Sequence, residues 1–301
     1  MTFLTNDTVA RLRDAATRPA LAGDRYVLGG VIGRGGMGAV YAAHDRLLDR
    51  EVAIKVSNIV IGPADRERAD DQDVQAEARM LARLEHPGIV PVHDAGLTTD
   101  GRVFYAMKLI RGRTLADHVK DLPALSGRLS IFERMVEAVA FAHHEGIVHR
   151  DLSVSNVMIG SFGEVLVLDW GVAQLASAAS SPAAPRIGTR GFMAPEREAT
   201  TRTDVFSLGA ILTVLIDGLD PPKRLRAIAA KCQAATPADR YADASALADD
   251  LARLRAGQPV TAYRDTVWDH ARVWLGRYGV FAALILAYLV MRAAVALRLG
   301  R

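Results

Sequence analysis

A chain of 301 residues, 50% hydrophobic and 24% charged, is long enough to bury a large core and too apolar for wholesale disorder. Its net charge of only +3 gives no sign of a nucleic-acid partner. A single cysteine, Cys232, excludes an internal disulfide and a cysteine-rich zinc site, and it suits a reducing compartment. The opening residues lack the uninterrupted apolar core of a secretion signal.

Residues 1–24 read as an N-terminal extension, a short helix at about Asp7 to Ala16 followed by a Pro/Ala/Gly linker. At Arg25 a β-forming run begins and enters Ile32-Gly33-Arg34-Gly35-Gly36-Met37-Gly38-Ala39-Val40, a G-x-G-x-x-G-x-V pattern. A dinucleotide-binding fold would need a helix after these glycines, whereas Val40–His44 is strand-like. A turn at Leu47–Arg50 leads to a further strand, Glu51–Val56, which carries Val52-Ala53-Ile54-Lys55. Glycines without Cβ atoms let backbone amides approach phosphates closely.

After a charged loop, residues 74–84 approximate a helical stripe that contains Glu77 and is closed by Pro87-Gly88. Two strands, 89–97 and 103–110, are joined by Thr98-Thr99-Asp100-Gly101. A short helix at about Thr114–Val119 precedes a long apolar-striped one from Ser130 to Glu145, stopped by Gly146. His143 and His144 point in different directions from that helix and lack a third ligand at suitable spacing, so they do not read as a metal site. Next comes Val148-His149-Arg150-Asp151-Leu152-Ser153-Val154-Ser155-Asn156, and Asp169-Trp170-Gly171 lies at the far end of a predicted hairpin. Residues 172–188 are rich in Ala, Ser and Pro, and Gly188-Thr189-Arg190-Gly191-Phe192-Met193-Ala194-Pro195-Glu196 follows. Helices are predicted from Asp204 to about Gly218, from Leu225 to Ala235 and from Ala244 to Ala256.

The order of these motifs resembles the protein kinase family, specifically the eukaryotic-like Ser/Thr kinases of bacteria, over roughly residues 25–255. The resemblance implies an α+β, two-lobed fold, with a β-rich N-lobe over about 25–108 and a mostly helical C-lobe over about 109–255. It also implies ATP and Mg²⁺ (or Mn²⁺) as cofactors and Ser/Thr-bearing proteins as substrates. By the same resemblance, ATP is bound by Ile32, Gly33, Gly35, Gly36, Gly38, Val40, Ala53 and Lys55, with Met107 guarding the pocket and Lys108 to Ile110 supplying hinge backbone groups. Glu77 pairs with Lys55, Asp151 receives the proton of the substrate hydroxyl, and Asn156 with Asp169 holds the metal. Glu196 pairs with Arg240, and Asp204 braces the catalytic-loop backbone. Ser177, Ser180, Ser181 and Thr189 are candidate phosphorylation sites, for which Arg150 would supply a guanidinium. The sequence departs from the pattern at three points. Trp170 replaces phenylalanine. Ser153 replaces a lysine, so a hydroxyl offers only a hydrogen bond to the transferring phosphate and slower turnover is expected. The segment after Gly218 is shortened, which bears on substrate docking. A catalytically weak pseudokinase serving as a nucleotide-binding scaffold is the alternative reading, and a small-molecule kinase is a third.

Beyond Gly257 the character changes. Residues 256–279 form a basic amphipathic pattern with Trp274 and Tyr278 at the end nearest an apolar run. The 18 residues 280–297 just suffice to span a bilayer, with Arg292 near one end. A membrane anchor at the inner face of the cell membrane, holding a cytoplasmic kinase domain, is expected; a helix packed on protein is the alternative.

Overall fold

The β-forming runs between residues 25 and 110 pair into one antiparallel sheet. The computed structural model describes residues 19–60 except 22, 36 and 37, residues 80–170 except 82, and residues 174–175 and 189–264 except 197. Towards the C-terminus it also describes positions 284–285, 287–289 and 291–292. The chain divides into two units, residues 1–249 and 250–301.

In the first unit, β1 (Tyr26–Gly35), β2 (Gly38–Asp45), β3 (Arg50–Val60), β4 (Val92–Leu97) and β5 (Arg102–Lys108) form a sheet in the order β1-β2-β3-β5-β4. Side-chain alternation gives this sheet two distinct faces. Tyr41, Ala43, Val52, Ile54, Val56, Phe104 and Ala106 are buried together on one. The register that sets Tyr41 opposite Ile54 also sets Val40 opposite Lys55 and Ala53 opposite Met107. These four residues therefore share the other face. Gly38 ends the glycine-rich turn at φ +149°, and a Cβ there would stand 2.0 Å from the Val56 carbonyl oxygen, so the strand closes only on glycine.

Past the sheet come β6 (Gly112–Thr114), α1 (Leu115–His118), α2 (Leu125–His144), β7 (Ile147–Val148), β8 (Val157–Gly160), β9 (Val165–Val167) and β10 (Gln174–Leu175). Helices α3 (Thr201–Ile216), α4 (Lys223–Cys232) and α5 (Ala244–Arg255) complete the described elements. The core of this helical part is the row Phe132, Met135, Val136, Val139 and Ala142 on α2 with Val205, Leu208, Ile211, Leu212 and Leu215 on α3, all buried. Cys232 is buried too, as free Cys usually is.

Two helices begin earlier than apolar spacing indicates. α2 starts at Leu125 because Arg128 donates to the Leu122, Val119 and Leu215 carbonyls, so its first turns are held by hydrogen bonds and not by an apolar stripe. α3 starts at Thr201 through a Thr200/Thr203 capping box, three residues before Asp204. β4 starts at Val92, where the sequence predicts a strand from Ile89; Ile89 instead bridges in parallel to Val167 of β9, joining the two lobes. α4 ends at Cys232, three residues before the predicted end.

In the second unit, Asp250 accepts from the Thr261 amide (2.8 Å), the Thr261 hydroxyl (2.7 Å) and the Ala262 amide (3.1 Å), drawing the chain back onto the helix end. Among the described residues no helix is long and apolar enough to cross a membrane. The predicted helices at 7–16 and 280–297 fall wholly or mostly outside the described residues, and the predicted helix at 74–84 is described as helix only at Met80 and Leu81.

Candidate active site

The site lies where the free face of the N-terminal sheet meets the loops at the ends of β7, β8 and β9. Lys55 extends from β3 beside Val40, Ala53 and Met107, and its Nζ stands 3.1 Å from Asp169 Oδ1. Lys108 is the last residue of β5, and its amide already donates to the Pro91 carbonyl at 3.2 Å. Leu109 and Ile110 follow beyond the ladder.

One buried carboxylate shapes the catalytic loop. Asp204 accepts from two consecutive backbone amides, His149 at 2.7 Å and Arg150 at 2.9 Å, and from His143 Nε2 at 2.9 Å. Arg150 has φ +74°, a left-handed conformation costly to a non-glycine residue, and the grip on its amide offsets that cost. His143 Nδ1 accepts from the Ala244 amide, which leaves Nε2 to carry the proton directed at Asp204. Burial alone would raise the Asp204 pKa, but the His143 hydrogen bond, the fields of His143 and His149 and the His149 amide outweigh it and hold the carboxyl below its ordinary range. A depressed carboxyl stabilises the fold above its unfolded value of about 3.9 and loses that contribution only as pH falls below it, so the brace holds across neutral pH.

His149 is itself buried. Its Nδ1 accepts from the Asp151 amide at 3.3 Å and its Nε2 donates to the Leu168 carbonyl at 2.8 Å, tying the loop to the residue before Asp169. Trp170 packs edge-on against it, with centroids 4.5 Å apart, and its indole N–H donates to the Val167 carbonyl at 3.2 Å. The larger ring thus keeps the packing role and gains a hydrogen bond. The Leu168 amide donates to the Asn156 carbonyl at 2.8 Å, so the β8–β9 hairpin sets Asn156 and Asp169 at neighbouring strand ends.

Asp151 collects the reacting end. The Asn156 Nδ2 donates to both the Asp151 carbonyl (2.8 Å) and its Oδ2 (3.1 Å), while Asp151 Oδ1 accepts from the Thr189 amide and hydroxyl, each at 2.8 Å. With its one side-chain nitrogen engaged on Asp151, Asn156 keeps its Oδ1 as an acceptor. With an Asp169 carboxylate oxygen, it forms a pair of hard donors suited to a small divalent cation whose shell is completed by phosphates and water. Among the described residues no group of three or more His, Cys, Asp or Glu could form a dedicated metal cage. Below, Glu196 forms a two-pronged pair with Arg240 (2.6 and 2.9 Å), as the sequence implies.

The sequence signature of the protein kinase domain matches residues 26–246. The chain belongs to the protein kinase family. Among curated relatives, this kinase domain is 33% identical over 250 residues to the serine/threonine-protein kinase PknD of Protochlamydia amoebophila, covering 70% of this chain and 25% of that protein. It is 32% identical over 285 residues to PknB of Mycobacterium leprae, covering 82% and 45%. The chain thus spans less than half the length of these relatives. The solved kinase domain of Mycobacterium tuberculosis PknI superposes with a TM-score of 0.58 at 27% identity, over 78% of this chain and 98% of that one.

Of the residues predicted for the kinase site, Lys55, Asp151, Asn156 and Asp169 come together, and Arg150 and Thr189 flank them. Val40, Ala53 and Met107 line the sheet face, while Ile32, Gly33, Gly35 and Gly38 occupy the hairpin edge. Glu77, Gly36, Ser177, Ser180 and Ser181 lie outside the described residues. His143 was passed over as a non-ligand and is a positioning residue for Asp204. Its signal was present, for it continues the buried α2 row Phe132, Val136, Val139 at helical spacing.

Ser153 differs from expectation. It is fully buried, and its Oγ has no hydrogen-bond partner among the described residues, so this conformation does not offer the hydroxyl to a phosphate. A buried unpaired hydroxyl destabilises. Ser153→Ala is expected to melt at the same temperature or up to about 4 °C higher, with phosphate transfer within about twofold of the parent. A fall of about tenfold or more would assign the hydroxyl a role in turnover.

Proposed function

We propose that the protein is an ATP-dependent Ser/Thr protein kinase, transferring the γ-phosphate to protein Ser and Thr hydroxyls. The observation that carries this reading is Asp151 Oδ1 accepting a threonine hydroxyl at 2.8 Å while Asn156 orients the same carboxylate from the other side. A substrate hydroxyl seated as Thr189 is would give its proton to Asp151 as its oxygen attacks the γ-phosphorus. The bond to the β-phosphate oxygen then breaks and ADP leaves. Lys55, steadied by Asp169, aligns the phosphates, and Gly33, Gly35 and Gly38 admit backbone to them. A divalent cation, Mg²⁺ or Mn²⁺, held by Asn156 and Asp169 would neutralise phosphate charge. The presence of base, metal donors and lysine in one constellation supports turnover over the pseudokinase alternative.

We further infer autophosphorylation in the 172–190 segment, which holds Ser177, Ser180, Ser181 and Thr189 and for which Arg150 would supply a guanidinium. The apolar run at 280–297, with Leu284, Ile285, Tyr288, Leu289 and Met291 exposed, supports membrane attachment of the C-terminal segment, holding the kinase domain at the cytoplasmic face.

With labelled ATP and a divalent cation, the full chain is expected to label itself and a generic protein substrate, with phosphate mapping within 172–190. Asp151→Asn should reduce labelling by about a hundredfold or more. Equal labelling by the two proteins would sink the reading, and an unlabelled 172–190 segment would remove autophosphorylation there. In detergent-free fractionation the full chain should pellet with membranes and a version ending at residue 259 should not; a freely soluble full chain contradicts the anchor.

A further inference from the structure

The segment that touches Asp151 is a closed turn, and the cation at its corner has no partner among the described residues. The Phe192 amide donates to the Thr189 carbonyl at 3.1 Å, closing a four-residue turn over Thr189-Arg190-Gly191-Phe192. Gly191 has φ +91°, the conformation that the third position of a type II turn demands and glycine supplies. Both ends of the turn are fastened. Thr189 donates twice to Asp151, and the Phe192 carbonyl accepts from the Ser207 hydroxyl on α3 at 2.7 Å. Just beyond, Ala194 is buried and Glu196 is held by Arg240.

Arg190 takes the second position of this turn, is exposed, and has no hydrogen bond or ion pair among the described residues. Glu196, an acidic group on the same segment, is already engaged by Arg240. Arg190 stands one residue, about 3.8 Å of backbone, from the group hydrogen-bonded to the catalytic carboxylate. Any acceptor hydroxyl must come onto that carboxylate, so the residues next to the acceptor pass the turn. A guanidinium there recognises a carboxylate in a fork geometry that a neutral or cationic side chain cannot match.

We propose that Arg190 is a specificity-determining residue that pairs with an Asp or Glu one or two positions from the phosphoacceptor, so that the substrates are Ser/Thr segments flanked by acidic residues. This rests on the kinase reading above and adds the substrate class to it. Only the six residues Asp217–Pro222 connect α3 to α4.

The test uses the full chain and acceptor peptides identical except for Glu or Lys at each of the two positions on either side of the acceptor. An exposed ion pair is worth a factor of about 1.5 to 5, and attraction is here compared with repulsion. Wild type should therefore favour Glu over Lys by about threefold to tenfold in kcat/KM at one of these positions, mostly through KM, with the ratio shrinking at high salt. Arg190→Gln should bring the ratio near one, Arg190→Glu should invert it, and Arg190→Lys should retain part of it. Fluorescence anisotropy of the same peptides reads the ratio without turnover. If wild type transfers no phosphate at all, the kinase reading fails, and anisotropy still judges the pairing. A wild-type ratio preserved in Arg190→Gln overturns the proposal, as does a uniform loss across all peptides, which would assign Arg190 to a phosphate on its own loop.

Discussion

The carboxylate of Asp204 is the constraint on which the site depends. It is buried and accepts three hydrogen bonds; two of its donors are consecutive amides of the catalytic loop. Those bonds hold Arg150 in a left-handed conformation and so set the direction in which Asp151 leaves the loop. His143 completes the shell from α2, and its other nitrogen is fixed by Ala244, so two further elements are tied to the same point.

From there the constraint spreads in two directions. Through His149 and the Leu168 carbonyl it reaches Asp169, whose own left-handed φ of +62° turns its carboxylate to Lys55. Trp170 packs under this link. Through Asp151 it reaches Thr189 and the turn that follows, which Ser207 and Arg240 fasten to the helical lobe. The sheet contributes register: a one-residue slip between β2 and β3 would move Lys55 to the face that buries Ile54 and Tyr41.

Much of this was legible in the sequence. Glycine spacing, the strand lysine and the His149–Asn156 run each carry a local chemical requirement, and the hairpin between Asn156 and Asp169 implied their approach. What was hidden depended on long-range burial. His143 carries no metal-ligand signal in the sequence and serves as a buried donor to a residue 61 positions away. Ser153 looked like a poor lysine, and its burial is visible only once the fold is formed. Leu125 and Thr201 open helices through side-chain hydrogen bonds that apolar periodicity does not register. Arg190 stands in the sequence motif, but only the closed turn and its two anchors fix its place beside Asp151.

The central claim is that Asp204 holds the catalytic geometry, and Asn at this position tests it most directly. An amide has one acceptor oxygen, so either orientation sets an N–H against the Arg150 amide or against the two donors on the other side. The quantity to measure is kcat for phosphate transfer by Asp204→Asn at neutral pH, with circular dichroism verifying the fold. A displacement of the loop by about 1 Å costs on the order of a hundredfold, and a loss of at least about tenfold is expected. A folded Asp204→Asn protein with parental kcat would contradict the account.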